Sequence, residues 1–385
     1  MINREVIQRD LWTKDQAKEK VAIRGRWRSK EYHAILNTLD LWHDERNGLA
    51  NEPLIVQLVF LKKLKKLIDV YITKKTNSKQ STKKQSKKTS IQQEIDNMNK
   101  VKENVNSKLT TVQQDYSQSG DDPIPQVENA DLGDLDTLNK NFKGKSDRGG
   151  LNSVKEVIMD NQDTKGYFKK EKAVDEMYGM HKGTAAGIPQ RNPNQTGRAI
   201  AAYRIDQLLE AGIIPKTYKA TKGGKSGSVM EKIENAEPGR DPIKHLEGGD
   251  NIEGRHLQEL SNLYLMDVIT GQVDRHLGNV LLKGGKVWGI DNDLTFGDQY
   301  GFDPKSGSSS VAIGGKSAKN LHIDKAFAIK IIKLSNNLDR VRQALDPNVT
   351  GLTNSEVEKA IERLENLAEY LIKKVAKGKT VTNWD

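Results

Sequence analysis

The spacing of apolar residues predicts that the first 72 residues are helical. Apolar side chains recur there at intervals of three and four, which places them on one face of an α-helix. Two such runs are Tyr32, Ile35, Leu36, Leu39 and Trp42, and Leu54, Leu58, Leu61, Leu64 and Ile68. Several lysines intersperse the second run: Lys62, Lys63, Lys65 and Lys66. We interpret this run as a core helix with a basic outer face, and a helix lying on an anionic membrane is the alternative.

The pattern changes at residue 73, where apolar residues become sparse. Lysines stand there among Ser, Thr, Gln and Asn, with no further acid before Glu94. Low hydrophobicity and like charges predict a basic, largely disordered linker over 73–139, which can include a short helix near 91–107. No aromatic residue lies between Tyr71 and Tyr116, so the segment lacks the stacking groups of a single-strand nucleic-acid site. The basic segment 62–88 could still make a peripheral contact with an anionic surface.

Strand and helix patterns alternate from about residue 140 onwards. The segments GGLNSVKEVIM and GYFKKEKA predict two strands, and TGRAIAAYRIDQLLEAG predicts a helix that stops at a glycine. A helical stripe over 256–270 and further helices over 320–345 and 353–376 follow. The sequence therefore predicts a folded domain over 140–385.

The composition excludes several kinds of chemistry. The 385-residue chain has no cysteine, which rules out disulfide scaffolds, zinc–thiolate sites and cysteine nucleophiles. Its 62 lysines and arginines exceed its 52 acids, and the formal net charge of +10 favours anionic partners. The charged N-terminus lacks the apolar core of a usual signal peptide, and no run approaches the roughly 18 apolar residues of a membrane span. We therefore expect a soluble protein with no transmembrane segment.

The densest cluster of candidate chemistry is GQVDRHLGNVLLKGGKVWGIDNDLTFG, residues 271–297. Asp274 and Asn279 are spaced D-x-x-x-x-N. Apolar segments on both sides of a Gly-Gly pair predict a β-hairpin that returns Asp291 to the side of Asn279. In phosphoryl transfer a carboxylate accepts the proton of the acceptor hydroxyl, while an amide and a second carboxylate hold magnesium. Mg²⁺ prefers hard oxygen ligands of this kind.

The order of residues in this cluster resembles that of a known family. The order D-R-H-x-x-N, followed by I-D in an apolar strand, resembles the catalytic domain of phosphatidylinositol 3- and 4-kinases. The run D-N-x-x-x-F-G is similar to the atypical protein kinases of the secretory pathway, and A-A-Y-R-x-D-x-L-L resembles an N-lobe helix of bacterial phosphatidylinositol-kinase-like proteins. The resemblance covers about 146–330.

The resemblance implies an α+β fold with two lobes, as in protein kinases. An antiparallel sheet is expected in an N-lobe at about 146–235, and mostly helices in a C-lobe at about 236–385. The helical region 1–72 and the linker 73–139 would precede them.

The resemblance also implies roles for the residues of the cluster. Asp274 is expected to orient the acceptor hydroxyl or accept its proton, and His276 to support the loop. Asn279 and Asp291 are the expected metal ligands, while Asp293 is either a ligand of a second metal or a turn residue. The expected cofactors are ATP and Mg²⁺, with Mn²⁺ as a substitute.

The nucleotide-binding residues are expected on the N-lobe sheet. Lys169, on the second strand, would neutralise the α- and β-phosphates. The other candidates are Gly149, Gly150, Asn152 and Ser153 in a glycine-rich phosphate loop, and Met230, Glu231 and Ile233 in a hinge beside adenine. The family helix often carries a glutamate that pairs with the ATP-binding lysine. Here Ala199 occupies that position, and Glu176 is the candidate replacement.

The predicted function is ATP- and magnesium-dependent transfer of a γ-phosphoryl group to a hydroxyl, on a protein acceptor. A phosphoinositide acceptor is the first alternative. A pseudokinase-like binding module, favoured by Ala199, a nucleotidyl transferase and a nucleic-acid-binding protein remain open as further alternatives. A cytoplasmic location is expected, or export as a toxin-like bacterial effector without a usual signal peptide.

Overall fold

The computed structural model divides the chain into two compact units. The first comprises Met1–Pro123 with Leu371–Lys379, and the second comprises Ile124–Tyr370 with Thr380–Asp385. The structure describes residues 11, 13, 16–17, 30–43, 48–120, 123–127, 131–144, 146–147, 154–171, 181–238, 254–304, 308–309 and 322–384.

Three helices make up most of the described part of the first unit. They are α1 (Lys30–Trp42), α2 (Leu54–Ser81) and α3 (Gln85–Gln118), with a 3₁₀ turn at Leu49–Asn51 before α2. The buried side chains of α1 are the five of the predicted stripe, so the helix predicted there is confirmed. Aromatic rings in contact join α1 to α2, with the centroids of Trp42 and Phe60 5.6 Å apart.

Helix α3 corrects the prediction of a disordered linker over 73–139. Helix α2 continues to Ser81, and α3 occupies 85–118. A narrow buried stripe holds α3 in place: Ile91, Ile95, Met98, Val101, Val105 and Val112. The abundant polar residues between these positions hide the stripe from composition alone, but a helix needs only one apolar face. The buried Lys108 lies on the same stripe, with its ammonium 6.0 Å from the ring centre of Trp42.

Ion pairs between α2 and α3 engage part of the basic segment. Lys75 Nζ lies 2.5 Å from a carboxylate oxygen of Glu94, and Lys102 Nζ lies 2.6 Å from Asp69. The turn between the two helices differs, because Lys83, Lys84 and Lys87 are exposed there. The contact with an anionic surface stays a prediction.

We predict that α3 depends on its buried stripe. Val105→Asp should lower the free energy of unfolding by about 3 kcal/mol or more, because it places an unpaired charge in the helical core. Ser107→Asp is the matched control, since Ser107 is exposed on the same helix. Urea denaturation followed by far-UV circular dichroism measures both. Equal stability of the two variants would show that α3 does not pack as described.

The second unit contains a six-stranded sheet in the order β1-β5-β6-β4-β3-β2. Its strands are β1 (Asp131–Asp134), β2 (Ser146–Asp147), β3 (Val154–Ile158), β4 (Lys165–Lys170), β5 (Thr217–Lys222) and β6 (Lys225–Glu231). Neighbouring strands run antiparallel, except that β1 is parallel to β5. Side chains of the sheet and its flanks form a core cluster of Leu135, Val157, Met159, Phe168, Ala220 and Val229. Strand β1 lies before residue 140, so the sheet begins within the predicted linker.

Helices dominate the remaining described residues of this unit. They are α4 (His181–Ala185), α5 (Gln195–Leu209), α6 (Gly254–Thr270), α7 (Lys325–Ser335), α8 (Leu338–Ala344), α9 (Pro347–Thr350) and α10 (Asn354–Ala376), the last six residues of which belong to the first unit. The short strands are β7 (Glu237–Pro238), β8 (Val280–Lys283), β9 (Lys286–Gly289), β10 (Phe302–Asp303) and β11 (Ser308–Ser309). The predicted mixture of helix and sheet, an α+β fold, is confirmed. None of the described helices is long and apolar enough to cross a membrane.

A buried carboxylate closes the end of α5. Asp206 accepts hydrogen bonds from the main-chain N–H groups of Gly212, Ile213 and Ile214, at 2.9–3.1 Å. The main-chain oxygen of Ile213 accepts in turn from the N–H of Gly289 in β9. Burial raises the pKa of Asp206 to about 6, although the three N–H groups oppose the shift.

This carboxylate should make stability depend on pH. The folded-state pKa of about 6 exceeds the ordinary value of 3.8, so the folded protein holds an extra proton between these values. The free energy of unfolding should therefore fall by on the order of 2–3 kcal/mol as pH rises through this window. Asp206→Asn cannot titrate, so the advantage of wild type over this variant should be larger at about pH 4.5 than at about pH 7. Urea midpoints at both pH values measure this difference in stability. Asp339→Asn is the control, because Asp339 is exposed. A pH-independent difference would contradict the assigned pKa.

Candidate active site

The hairpin predicted after Asn279 is confirmed. Strands β8 and β9 pair in register from Val280 opposite Gly289 to Lys283 opposite Lys286. The two turn glycines between them have positive φ angles of 55° and 78°, as the tight two-residue turn requires. After the hairpin, the N–H of Ile290 donates to the main-chain oxygen of Asn279 at 3.0 Å. Asp291 therefore follows directly beside the D-x-x-x-x-N loop.

Arg275 joins the segments that surround this hairpin. Its buried guanidinium contacts both carboxylate oxygens of Asp267 in α6, with the shortest distances at 3.0 Å. It also donates to the main-chain oxygens of Asn279 (2.9 Å) and Ile290 (2.6 Å), and to the side-chain oxygen of Asn292 (2.6 Å). Burial raises the pKa of the Asp267 carboxyl, against the opposing effect of Arg275. One side chain thus fixes α6, the loop and the exit of the hairpin.

The candidate catalytic loop is shaped by its own polar groups. The side-chain nitrogen of the buried Asn279 donates to the main-chain oxygen of Asp274 at 2.9 Å. The exposed His276 accepts the N–H of Gly278 on Nδ1 at 3.0 Å. Asp274 itself is half-buried. Because Asn279 uses its nitrogen inside the loop, its oxygen is the atom that remains for a metal ion.

Lys169 meets the two aspartates that follow the hairpin. Its Nζ lies 2.6 Å from Oδ1 of Asp291 and 2.5 Å from Oδ2 of Asp293. The lysine comes from β4 and its partners from residues more than 120 positions later, so only the tertiary fold unites them. The side chain of Asp293 is 9% exposed and that of Asp291 is 41% exposed. Asp291 also has a φ of +59°, a left-handed conformation that is uncommon for residues other than glycine and is often found at functional sites.

The three charges shift one another's pKa values. Burial opposes the charged lysine, but Asp293 and Asp291 outweigh it and raise the pKa of Lys169 above its usual range. Burial also opposes ionisation of Asp291, yet Lys169 prevails and lowers the pKa of that carboxyl. Burial raises the pKa of Asp293 to about 6. The nearby Asp291 carboxylate adds to this rise, and the Lys169 ammonium opposes it. At neutral pH the trio therefore carries two negative charges and one positive charge.

The donor set suits a hard divalent cation. Two carboxylates and the amide oxygen of Asn279 are oxygen ligands, which magnesium prefers, and magnesium usually completes its shell with waters and substrate phosphates. Within the described ranges, no group of three or more His, Asp or Glu side chains is placed to hold a metal ion by itself. A magnesium ion here would therefore depend on the amide and on phosphate oxygens.

The structure describes only some of the other residues that were predicted to bind the nucleotide. Met230 and Glu231 end β6, and Ile233 follows it, all three half-buried. The N–H of Glu231 already donates to the main-chain oxygen of Lys216 at 2.8 Å. This N–H is therefore already engaged within the protein, and a hinge at this place would have to contact adenine through other atoms. The glycine-rich loop of Gly149, Gly150, Asn152 and Ser153 lies outside the described residues, and so does Glu176.

Among the described residues, strand β4 is linked to α5 by a contact other than a lysine–glutamate pair. Ala199 lies half-buried in α5, and Lys169 pairs with the two aspartates. The carboxylate of Glu171, two residues after Lys169, accepts the N–H groups of Gln195 and Thr196, both at 2.9 Å. A carboxylate is favoured at a helix N-terminus because the exposed N–H groups and the helix dipole attract it. Strand β4 is thus tied to α5 through Glu171, a residue that no sequence motif indicated.

Two more buried arginines, equally unmarked by any motif, hold the chain after Asp293. Arg198 of α5 donates to the main-chain oxygen of Thr295 at 2.7 Å and forms an ion pair with Glu356 of α10. Arg363 of α10 donates to the main-chain oxygen of Gly297 at 2.9 Å. The segment that carries Asp291 and Asp293 is therefore held by buried side chains, as a site that must keep its geometry requires.

No protein-family model matches this chain, and no curated protein matches it significantly.

We predict that Arg275 is essential to the fold around the site. Arg275→Met should lower the free energy of unfolding by about 3–5 kcal/mol, because it leaves the buried Asp267 carboxylate unpaired. Adding Asp267→Leu should restore part of this loss. The control is Arg342→Met, since Arg342 makes a comparable two-pronged contact with Glu358 at the surface and should matter little. Urea denaturation distinguishes the variants, and an Arg275→Met protein as stable as wild type would refute the role.

Proposed function

We propose that this chain is a kinase that uses ATP and magnesium to phosphorylate a hydroxyl group, on a protein acceptor. The observation that carries the proposal is the meeting of Lys169 with Asp291 and Asp293 beside the D-x-x-x-x-N loop. A lysine for phosphate, carboxylates for magnesium and a carboxylate for the acceptor are the parts that phosphoryl transfer requires. Catalysis would consist mainly of positioning and charge neutralisation.

Each residue has a definite task in this proposal. Lys169 binds the oxygens of the α- and β-phosphates. Asp291 and the amide oxygen of Asn279 would hold magnesium, and Asp293 is the more buried of the two aspartates. A bound magnesium ion would neutralise part of the phosphate charge. Asp274 orients the acceptor hydroxyl and accepts its proton. Of the two aspartates that contact the lysine, Asp291 is the more exposed and is the one a solvated cation can reach.

The arrangement of the second unit supports a two-lobed interpretation of the same site. Its sheet strands β3 to β6 fall within the proposed N-lobe (146–235), and α6 and the later helices fall within the proposed C-lobe (236–385). The motifs that resemble phosphatidylinositol 3- and 4-kinases lie in both parts. We accordingly place the chain, as part of the proposal, with the atypical kinases.

A phosphoinositide is the second candidate acceptor. The observation that favours it is the exposed Lys83, Lys84 and Lys87 at the turn between α2 and α3, which suits an anionic surface. A protein acceptor is preferred because no clear lipid-binding segment follows Asp291 in the sequence. The non-catalytic alternative draws on Ala199, but Glu171 provides a different attachment between β4 and α5.

The direct test is transfer of label from ATP in the presence of Mg²⁺, with mixed protein acceptors and with phosphoinositide vesicles. Wild type should transfer label from the γ-phosphate, and Asp274→Asn and Asp291→Asn should each reduce transfer about 100-fold or more. Asp339→Asn is the matched control, because this exposed carboxylate lies outside the site. Circular dichroism verifies that every variant is folded.

The outcomes separate the candidates. Label on lipid alone would select the phosphoinositide alternative, and label from the α-phosphate would indicate nucleotidyl transfer. ATP binding without any transfer would favour the binding module. A wild-type protein that neither binds ATP nor transfers label would refute the proposed function.

A further inference from the structure

We propose that Gln272 is a positioning residue of this site, and the inference rests on the proposed function. Gln272 lies between α6 and the loop that carries Asp274. Its side chain joins the backbone of Asp274 to the backbone of Asp291, and we call this pair of hydrogen bonds the brace. The amide would thereby fix the acceptor-orienting residue relative to the magnesium-binding residue.

Both the oxygen and the nitrogen of the Gln272 side-chain amide form hydrogen bonds. The residue is completely buried, at 0% exposure. Its Oε1 accepts the N–H of Asp274 at 2.9 Å, and its Nε2 donates to the main-chain oxygen of Asp291 at 3.1 Å. The main-chain N–H of Gln272 donates to the main-chain oxygen of Asp267 at 3.1 Å, which attaches the brace to the end of α6. A buried amide with both functions satisfied is rigid, because breaking either bond leaves a buried polar group without a partner.

Only an amide of this length provides the two contacts. Glutamate keeps an acceptor for Asp274, but its second oxygen would face the oxygen of Asp291. Methionine has a similar shape and provides neither bond. The side-chain oxygen of Asn292 lies 3.5 Å from Nε2, so a carboxylate would meet a second acceptor there.

The brace acts where the backbone needs support. Asp291 has a φ of +59°, which an aspartate adopts at a cost. Arg275 holds the main-chain oxygen of the preceding Ile290, and Gln272 holds that of Asp291. Without Gln272 the Arg275 contacts stay, so the fold should persist. The direction of the Asp291 carboxylate should then be less well fixed. Loss of Gln272 should therefore affect magnesium use more than stability.

The test compares Gln272→Met and Gln272→Glu with Gln258→Met in the full-length protein. Gln258 is a matched control, because its Nε2 donates to Asp324 at 2.8 Å elsewhere in the same unit. The first readout is label transfer from ATP as a function of Mg²⁺ concentration. Both Gln272 variants should need at least about tenfold more Mg²⁺ than wild type for half-maximal transfer. Gln258→Met should need the same Mg²⁺ concentration as wild type.

The second readout needs no activity. Amide hydrogen exchange, followed by mass spectrometry, should be faster in Gln272→Met over peptides that contain Asp274 and the 290–293 segment. In Gln272→Glu the peptide with Asp274 should stay closer to wild type, because that hydrogen bond is retained. Gln258→Met should leave both peptides unchanged.

The two readouts separate the possible failures. If wild type neither binds ATP nor transfers label, the proposed function fails, and exchange alone decides whether the brace holds Asp291. If wild type is active but the Gln272 variants keep its Mg²⁺ requirement, the positioning role is overturned. Unchanged exchange in Gln272→Met would overturn the brace itself.

Discussion

The contacts of the buried Arg275 guanidinium are the constraint on which the rest of the site depends. It pairs with Asp267 in α6 and binds the main-chain oxygens of Asn279 and Ile290. A helix, a loop and the end of a hairpin therefore share one rigid donor. A planar guanidinium suits this task, because it directs several donors at fixed angles and stays charged when buried. Lysine could not make these contacts together.

Around Arg275, the sheet contributes the positive charge of the site and the segment that follows the hairpin contributes the negative charges. Lys169 reaches Asp291 and Asp293 from β4, while Glu171 on the same segment holds the first turn of α5. The link between strand and helix thus passes through main-chain N–H groups and needs no glutamate at the position of Ala199. The absence of that glutamate does not by itself argue against a functional nucleotide site.

Local sequence patterns allowed part of the fold and part of the candidate site to be predicted. The Gly-Gly turn between apolar segments predicted the hairpin, and its position relative to Asp274 indicated where Asp291 would lie. The full length of helix α3 (Gln85–Gln118) was not predicted, because its stripe is narrow and lies among lysines and glutamines that suggest disorder. The roles of Glu171 and Gln272 could not be predicted, since each depends on backbone groups brought near by the tertiary fold. The same holds for β1, whose partner β5 follows more than 80 residues later.

The central claim is that Lys169 and its two aspartates form a site for magnesium and ATP. Isothermal calorimetry with a non-hydrolysable ATP analogue tests it most directly, with Lys170→Met as the control, since adjacent strand residues point to opposite faces of the sheet. Wild type and Lys170→Met should bind the analogue only when Mg²⁺ is present, and Lys169→Met should bind at least about tenfold more weakly. Binding that is unchanged in Lys169→Met, or absent from wild type, would contradict the claim.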